Sequence, residues 1–487
     1  MQKNYFSFLL LSIVSLLVVS CVDPIDPEDQ PTPITPVAPV EFDLTKDSFT
    51  LKHEFRGAWI ATVYSLDWPI SKNVSEQKAE LRNIFSNLKK ANFNAVVFQV
   101  ISMADAMFKS DYLPWAKQLT GVSQGTDPGY DPLAYAVEIA KEFGLELHAW
   151  INPLRIGKKS ALCDNHPAIL NPEWSQTYKD NLYWDPAVPE FRQFLSDIVT
   201  ELMTNYDIDG IHIDDYFYPS GLKNNNDTWD DTKMFQLYGS DKTLNVWREE
   251  NIDKIVQGLY NSVKSVDPTA LFGVSPQGKL ENTRALYADP ITWMKEGYID
   301  YLTPQIYWYI GHKTSDFKNL AYTWAEQSYK VPVIPGLAAY RLEESGFSLD
   351  EFVNQVTLCR NIDKIQGNIW FRTQNILSDN FPFVSPTESF NIYQYPALRP
   401  TFACDSTISL DTPQVKVTGN DLSWNSVENA EAYAVYKLKY ISKNIWEPQM
   451  VSYTTQTKFK GEGESNYFVI AVNGRVKSEY DKVHFIP

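Results

Sequence analysis

From residue 55 onward, short runs rich in β-branched and aromatic residues alternate with longer segments whose apolar residues recur with the period of a helix. Eight such units follow one another. This pattern predicts a parallel α/β sheet, and eight repeats fit a (β/α)8 TIM barrel with enlarged loops. A doubly wound sheet is the alternative, which the missing Gly-rich first turn disfavours. The predicted strands cover residues 55–62, 94–100, 145–152, 210–216, 271–277, 301–308, 331–339 and 367–372, and the predicted helices cover residues 76–91, 133–143, 188–206, 249–266, 291–296, 317–329 and 349–365.

Beyond Pro400 the pattern changes to short runs in which apolar and polar residues alternate. These runs predict a small all-β sandwich domain over residues 401–487. LSWN at residues 422–425, AYAVY at 432–436 and YFVIAV at 467–472 resemble a fibronectin type III module. Such a module seldom carries chemistry, so we expect it to be a spacer or an adhesive accessory.

The first 20 residues have the pattern of a signal peptide, in which Lys3 precedes an apolar stretch too short to span a bilayer stably. VVSC at residues 18–21 resembles a bacterial lipobox, so we expect Cys21 to be acylated and to anchor the protein to a membrane. An ordinary signal peptide with an incidental cysteine is the alternative. Residues 21–50 are then the lipidated Cys and a disordered tether, and residues 51–400 are the barrel. The expected location is the cell envelope of a Gram-negative bacterium, at the periplasmic or surface face of the outer membrane.

Composition narrows the choice of partners. The chain has 60 acidic and 43 basic residues, and its net charge of -17 argues against nucleic acid as a partner and against membrane contact other than through the lipid. Protein partners are left open. With Cys21 lipidated, three cysteines remain, and neither a Cys-x-x-Cys pair nor clustered histidines occur. We therefore expect no disulfide framework, no metal and no cofactor.

In the fourth predicted strand, GIHIDDY, the alternation of residues indicates where the side chains point. Alternate residues of a barrel strand face the lumen. If Ile211 and Ile213 face the helices, His212 and Asp214 point inward, and Asp214 lies at the mouth of the barrel. Asp215 then begins the loop. An acidic pair among aromatic residues can supply a nucleophile, a base or an acid. The structural alternative is that Asp214 accepts backbone hydrogen bonds or caps a turn.

The same alternation gathers aromatic, amide and guanidinium groups at the mouth, a mixture that suits a polyhydroxylated ligand such as a polysaccharide. Each residue alone has a structural alternative, and His148 and His212 are equally consistent with satisfied histidines inside the barrel. The predicted substrate-binding residues are Trp59, Asp67, His148, Trp150, Asn152, Arg155, His212, Gln277, Gln305, Tyr307, Trp370 and Arg372. Of these, Trp59, Trp150, Tyr307 and Trp370 are expected to stack on sugar rings.

Hydrolysis of a glycosidic bond normally needs two carboxyl groups, so Asp214 needs a partner. The seventh strand ends without an acid. Asp105 and Asp215 are favoured because both lie within a few residues of a strand end. The other candidates are the loop acids Asp67, Asp185, Glu343 and Glu344.

A series of motifs, in order along residues 52–375, resembles the bacterial glycosyl hydrolase-like 10 family. The motifs are FRGAW at residues 55–59, LDWP at 66–69, LPW at 113–115, LTG at 119–121, DPGYDPL at 127–133, HAWINP at 148–153, DGIHIDDYFY at 209–218, FGVSP at 272–276 and PQIYW at 304–308. The resemblance implies a TIM-barrel glycoside hydrolase, often exported and lipid-anchored, with the acidic pair after strand four as its catalytic centre. It also implies peptidoglycan glycan strands as the substrate class. RTQN at residues 372–375 departs from relatives that carry acids there.

The leading hypothesis is a glycosidase in which Asp214 acts as nucleophile or base and Asp105 or Asp215 as acid. A glycan-binding lipoprotein without turnover is one alternative, and a hydrolase of a dietary or host polysaccharide is another. A cell-envelope scaffold acting through the sandwich domain is a weaker one.

Overall fold

A computed structural model of the protein describes residues 41–51, 53–222, 229–342, 344–387, 390–405 and 408–487. The predicted signal peptide and Cys21 lie outside these residues. Within them, no helix has the length and apolar character that crossing a bilayer requires.

Eight parallel strands form the centre of the structure. Their order in the sheet is β7-β8-β1-β2-β3-β4-β5-β6, and parallel bridges from Leu302 to Val333 and from Gln305 to Gly336 join β6 to β7. The sheet therefore closes on itself, which confirms the predicted (β/α)8 barrel. The strands are β1 Phe55–Ile60, β2 Ala95–Ile101, β3 Glu146–Ile151, β4 Gly210–Ile213, β5 Leu271–Val274, β6 Tyr301–Leu302, β7 Gly336–Ala338 and β8 Gly367–Phe371.

Helices surround the barrel, and their ends follow capping chemistry. The helix Val74–Lys90, for example, begins where the side chain of Asn73 accepts hydrogen bonds from two backbone N–H groups, and it buries Leu81, Phe85 and Leu88 on one face. The α-helices are Val74–Lys90, Lys117–Thr120, Pro132–Phe143, Pro167–Leu170, Pro189–Asn205, Thr232–Tyr238, Leu244–Val266, Leu280–Arg284, Pro290–Glu296, Phe317–Glu326, Leu349–Arg360 and Thr373–Ile376. The 3-10 helices are Val63–Ser65, Lys159–Ala161, Pro172–Trp174 and Ala339–Arg341.

A small antiparallel sheet lies between β3 and the helix Pro189–Asn205. Its strands are Arg155–Gly157, Ser175–Tyr178 and Asn181–Trp184, and Arg155 pairs with Tyr183 across it. The sheet thus fixes Arg155 and Tyr183 side by side above the carboxyl end of β3.

The lumen is packed with large side chains, including Phe55, Trp59 and Tyr301. Tyr301 crosses it next to Gly273 of β5, where an added Cβ would lie 1.9 Å from the ring of Tyr301. Only glycine leaves room for that ring. The lower part of the barrel is therefore a filled core, and open space begins only at its mouth.

The C-terminal part of the chain is all β, as predicted. A three-stranded antiparallel sheet has the order β9-β10-β13, and a larger sheet has the order β12-β11-β14-β15, with β16 pairing β14. Phe42 and Phe49, from the end of the expected tether, pack against the larger sheet. The strands are β9 Val415–Thr418, β10 Asp421–Trp424, β11 Ala432–Ser442, β12 Ile445–Thr454, β13 Lys458–Lys460, β14 Ser465–Asn473, β15 Val476–Lys477 and β16 His484–Ile486.

Arg475, in the turn between β14 and β15, reaches the amino-terminal end of the barrel. Its Nη1 donates to Glu146 of β3 at 2.7 Å and its Nη2 donates to the carbonyl of Thr269 at 2.7 Å. Burial opposes ionisation of Glu146, but the guanidinium groups of Arg399 and Arg475 hold its pKa below the usual range. Phe402 also packs into the lumen cluster. The β domain thus contacts the amino-terminal end of the barrel directly, and its role as a spacer or an adhesive accessory stays a prediction.

Arg475→Ala should lower the free energy of unfolding by about 3 kcal/mol, since it removes one partner of a buried ion pair. The loss of stability is limited because Arg399 remains 3.3 Å from Glu146 and still pairs with it. Denaturant unfolding measures the change. Lys439→Ala, which removes an exposed charge from the same domain, is the control and should change stability by less than about 0.5 kcal/mol. Equal stability of the two variants would contradict this role for Arg475.

Candidate active site

A cavity of about 340 Å³ opens at the carboxyl end of the barrel strands, where the active sites of this fold lie. We call it the mouth cavity. Among the described residues that line it, Asp214 and Asp215 are the acidic residues and Arg155 is the basic residue. Its lining is Trp59, Val63, Tyr64, Leu66, Gln99, Trp150, Asn152, Arg155, Asp214, Asp215, Tyr216, Ser275, Gln305, Tyr307 and Phe371.

Asp214 follows the last residue of β4 and is 4% exposed. Its Oδ2 accepts hydrogen bonds from Nε1 of Trp150 at 3.0 Å and Nδ2 of Asn152 at 3.4 Å, and its Oδ1 accepts one from the backbone N–H of Tyr216 at 3.3 Å. Burial and the neighbouring charge of Asp215 raise the pKa of Asp214 to about 8. The carboxyl group is therefore harder to ionise than that of an ordinary aspartate.

Asp215 turns the other way, toward β5 and β6. Its Oδ1 accepts a hydrogen bond from Nε2 of Gln305 at 2.9 Å, and its Oδ2 accepts one from Nε2 of Gln277. Burial raises the pKa of Asp215, while these two amide donors stabilise its ionised form. The structure thus brings the two neighbouring acids to one cavity and gives them separate sets of partners.

Aromatic side chains line the mouth cavity: Phe371 stacks on Tyr307 and packs edge-on against Trp59, and Trp150 is also part of the lining. Tyr307 and Phe371 have ring centroids 6.0 Å apart. Flat apolar faces beside amide and carboxyl groups suit a sugar ring, which has both apolar and hydroxyl-bearing surfaces. Trp59, Trp150, Asn152, Gln305 and Tyr307 therefore lie where the sequence predicted them.

Arg155 lies at the rim between two tyrosines. Its Nη2 donates to the hydroxyl of Tyr64 at 2.9 Å, and its guanidinium carbon lies 5.0 Å from the centroid of the Tyr216 ring. Asn152 accepts the backbone N–H of Arg155 at 3.0 Å and so fixes the start of this segment. The positive charge of Arg155 opposes the rise in the pKa of Asp214.

His148 and His212 lie beneath the cavity and are fully buried, so their expected contact with substrate was wrong. Nδ1 of each ring lies within 3.1 Å of the Tyr301 hydroxyl, and Nε1 of Trp59 donates to Nε2 of His212 at 3.3 Å. Burial keeps the pKa of His212 well below its usual range. His212 is thus a barrel residue with both ring nitrogens engaged and it supports Trp59, whereas His148 bonds Tyr301 and its Nε2 lies 3.7 Å from Glu146.

Asp67 and Arg372 clamp two loops together and do not line the mouth cavity. Asp67 accepts hydrogen bonds from the backbone N–H groups of Ala61 at 2.7 Å and Gln374 at 2.8 Å, and its Oδ1 lies 2.8 Å from Nη1 of Arg372. Every oxygen of Asp67 is therefore engaged within the protein. The predicted substrate contacts of both residues are corrected to a structural role.

Trp370 faces the opposite side of β8 from the one predicted. It is fully buried against Phe352 and Phe383, and its Nε1 donates to the Tyr393 hydroxyl at 3.0 Å. Ile369 and Phe371 of β8 belong to the lumen cluster instead. The prediction counted the alternation one residue out of register, and Phe371 occupies the place expected for Trp370.

Asp105 is buried in the loop after β2, where Ser102 and Gln124 are its side-chain partners. Burial raises its pKa to about 7, but it does not line the mouth cavity. Asp105 is therefore not the partner of Asp214. Among the other acids considered, Asp185 accepts from Gln176 and the N–H of Ala187, Glu344 pairs with Arg341, and Glu343 lies outside the described residues.

Several residues of the mouth cavity are not among those predicted from the sequence. Gln99 was detectable, because it is a polar residue on the inward face of β2, where it accepts the backbone N–H groups of Thr62 and Val63. Tyr64 lies in the 3-10 helix Val63–Ser65 and Tyr216 in the loop after β4, and outside a strand the sequence gives no alternation from which to predict the direction of a side chain.

A larger cavity of about 660 Å³ lies near the amino-terminal end of β1. Its buried carboxylate, Glu54, is paired with Arg56 at 2.8 Å and with Arg360 at 2.8 Å. Because this acid is neutralised within the protein, the cavity offers a poorer reaction centre than the mouth cavity does.

Comparisons with known proteins agree with the sequence motifs. The model of the family described as glycosyl hydrolase-like 10 matches residues 54–353. "Glycosyl hydrolase YngK" of Bacillus subtilis (strain 168) is 36% identical over 425 residues, which cover 79% of this chain and 82% of that protein. "Glycosyl hydrolase DigH" of Escherichia coli (strain K12) is 31% identical over 368 residues, which cover 65% and 82% of the two chains. The PgaB (BpsB) glycoside hydrolase domain from Bordetella bronchiseptica aligns with a TM-score of 0.47 at 12% identity, over 68% of this chain and 97% of that one.

Proposed function

The chain belongs to the glycosyl hydrolase-like 10 family, and we propose that it hydrolyses glycosidic bonds in the mouth cavity. The observation that carries the proposal is the pair Asp214 and Asp215, which line one aromatic-walled cavity through separate hydrogen-bond partners. Glycosidases usually use two carboxyl groups whose environments give them different pKa values, so that one acts as an acid and the other as a base or nucleophile.

The raised pKa of Asp214 supports the role of proton donor for this residue. Asp215, whose ionised form is stabilised by two amide donors, acts as base or nucleophile. In the reaction the bond between the anomeric carbon and the glycosidic oxygen breaks and the oxygen takes the proton of Asp214. Water supplies the hydroxyl group to the anomeric carbon, and its remaining proton restores the pair. This reverses the role first expected for Asp214.

The proposed substrate is a cell-envelope polysaccharide, with the glycan strands of peptidoglycan as the first candidate. The family resemblance and the lipobox-like VVSC motif at residues 18–21 support this choice, because an anchored enzyme meets the envelope glycan first. A dietary or host polysaccharide is the other candidate. The absence of a second acid motivated the idea of a binding protein without turnover, and the position of Asp215 beside Asp214 now weakens it.

Asp214→Asn and Asp215→Asn should each lower the rate of glycan cleavage about 100- to 10,000-fold, because each removes an acid or base group from the reaction. The measurement is release of new reducing ends from purified peptidoglycan and from plant and host polysaccharides, with mass analysis of the products. Glu344→Gln, at an exposed acid paired with Arg341, is the control and should keep wild-type activity. Binding without cleavage by the wild-type protein would contradict the proposal.

Cys21→Ala should move the protein from the membrane fraction to the soluble fraction, because the proposed lipid is attached at this residue. Cell fractionation with detection by antibody measures the distribution. Cys163→Ala changes a cysteine in the folded part of the chain and should leave the protein in the membrane fraction. A Cys21→Ala protein that stays membrane-bound would exclude the anchor.

A further inference from the structure

A second cavity adjoins the mouth cavity on the far side of Asp215. It has a volume of about 460 Å³, and we call it the side cavity. The two cavities share Asp215 and Tyr216 in their linings. Both volumes fall in the range of ligand pockets, which is about 300–1,000 Å³.

The lining of the side cavity suits a neutral polar ligand. Tyr183 and Tyr216 offer aromatic rings, and Gln277 and Asn282 offer amide groups. Asp215 is the one charged residue among the described residues that line it. A sugar, with hydroxyl groups around an apolar ring face, fits this combination better than an anion, a cation or a purely apolar molecule does.

The hydrogen bonds of Asp215 place its carboxylate between the two cavities. Gln305, which lines the mouth cavity, donates to Oδ1, whereas Gln277, which lines the side cavity, donates to Oδ2. One carboxylate is thus held by an amide from each cavity. A chain that filled both cavities would pass directly over Asp215.

We propose that the side cavity is a second saccharide-binding site, which holds the units of the same glycan on the other side of the bond to be cleaved. This inference rests on the proposed function. Cleavage then occurs within a glycan chain, with one water consumed for each bond broken, and both product fragments leave as oligosaccharides.

The test uses a substitution that fills the side cavity. Asn282 is an exposed residue of the helix Leu280–Arg284 and lines the cavity, so Asn282→Trp adds bulk there with little effect on folding. The matched control is Glu281→Trp, whose side chain is exposed on the same helix and does not line either cavity. The probes are N-acetylglucosamine oligomers from disaccharide to hexasaccharide.

Two measurements decide the proposal. In the Asp214→Asn background, binding should tighten about tenfold or more from disaccharide to hexasaccharide, and Asn282→Trp should remove that gain whereas Glu281→Trp should keep it. In the catalytically intact protein, the hexasaccharide should yield internal fragments. Length-independent binding, release of terminal units alone, or equal behaviour of the two tryptophan variants would overturn the inference. A further outcome separates this inference from the proposed function. If Asn282→Trp removes the length-dependent binding but no oligomer and no polysaccharide of the panel is cleaved, the second binding site is supported and the proposed function is contradicted.

Discussion

The candidate active site depends on how two consecutive carboxyl groups come to share one cavity. Neighbouring residues of a strand point to opposite faces, so Asp214 and Asp215 could not both line the mouth cavity within a continuous strand. β4 ends at Ile213, and the backbone turns immediately after it. Asp214 keeps the inward direction set by the strand and bonds Trp150 and Asn152, while Asp215 swings toward Gln277 and Gln305. Burial and the charge of Asp215 both favour the protonated form of Asp214.

The lumen beneath the pair makes this arrangement rigid. Trp59, His212, Tyr301 and His148 form a continuous buried series of ring contacts and hydrogen bonds, and His148 lies 3.7 Å from Glu146. Arg475 of the β domain completes the series at the other end of the barrel. The wall of the mouth cavity is therefore supported through the whole barrel, and the β domain belongs to the same compact unit as the mouth cavity.

The sequence predicted most of the barrel because its signal is periodic. Isoleucines on either side of His212 set the direction of Asp214, and the same pattern set Trp150 and Asn152 on β3. The prediction failed on β8, where Trp370 and Ile369 are both apolar and do not reveal which face is inward. It also failed for Asp67 and Asp105, because the path of a loop depends on contacts such as those of Asp67 with Arg372 and Gln374, which lie far away in the chain. Local patterns thus located the strand ends, but tertiary contacts decided which loop residues reach the cavity.

The most direct test of the central claim is the dependence of kcat/KM for glycan cleavage on pH. If Asp214 donates the proton, the protonated form is required, so kcat/KM should fall as the pH rises through about 8, by about tenfold per pH unit above it. A profile that stays level to pH ~10, well above the pKa expected for the pair, would show that no shared proton of Asp214 and Asp215 takes part in the reaction.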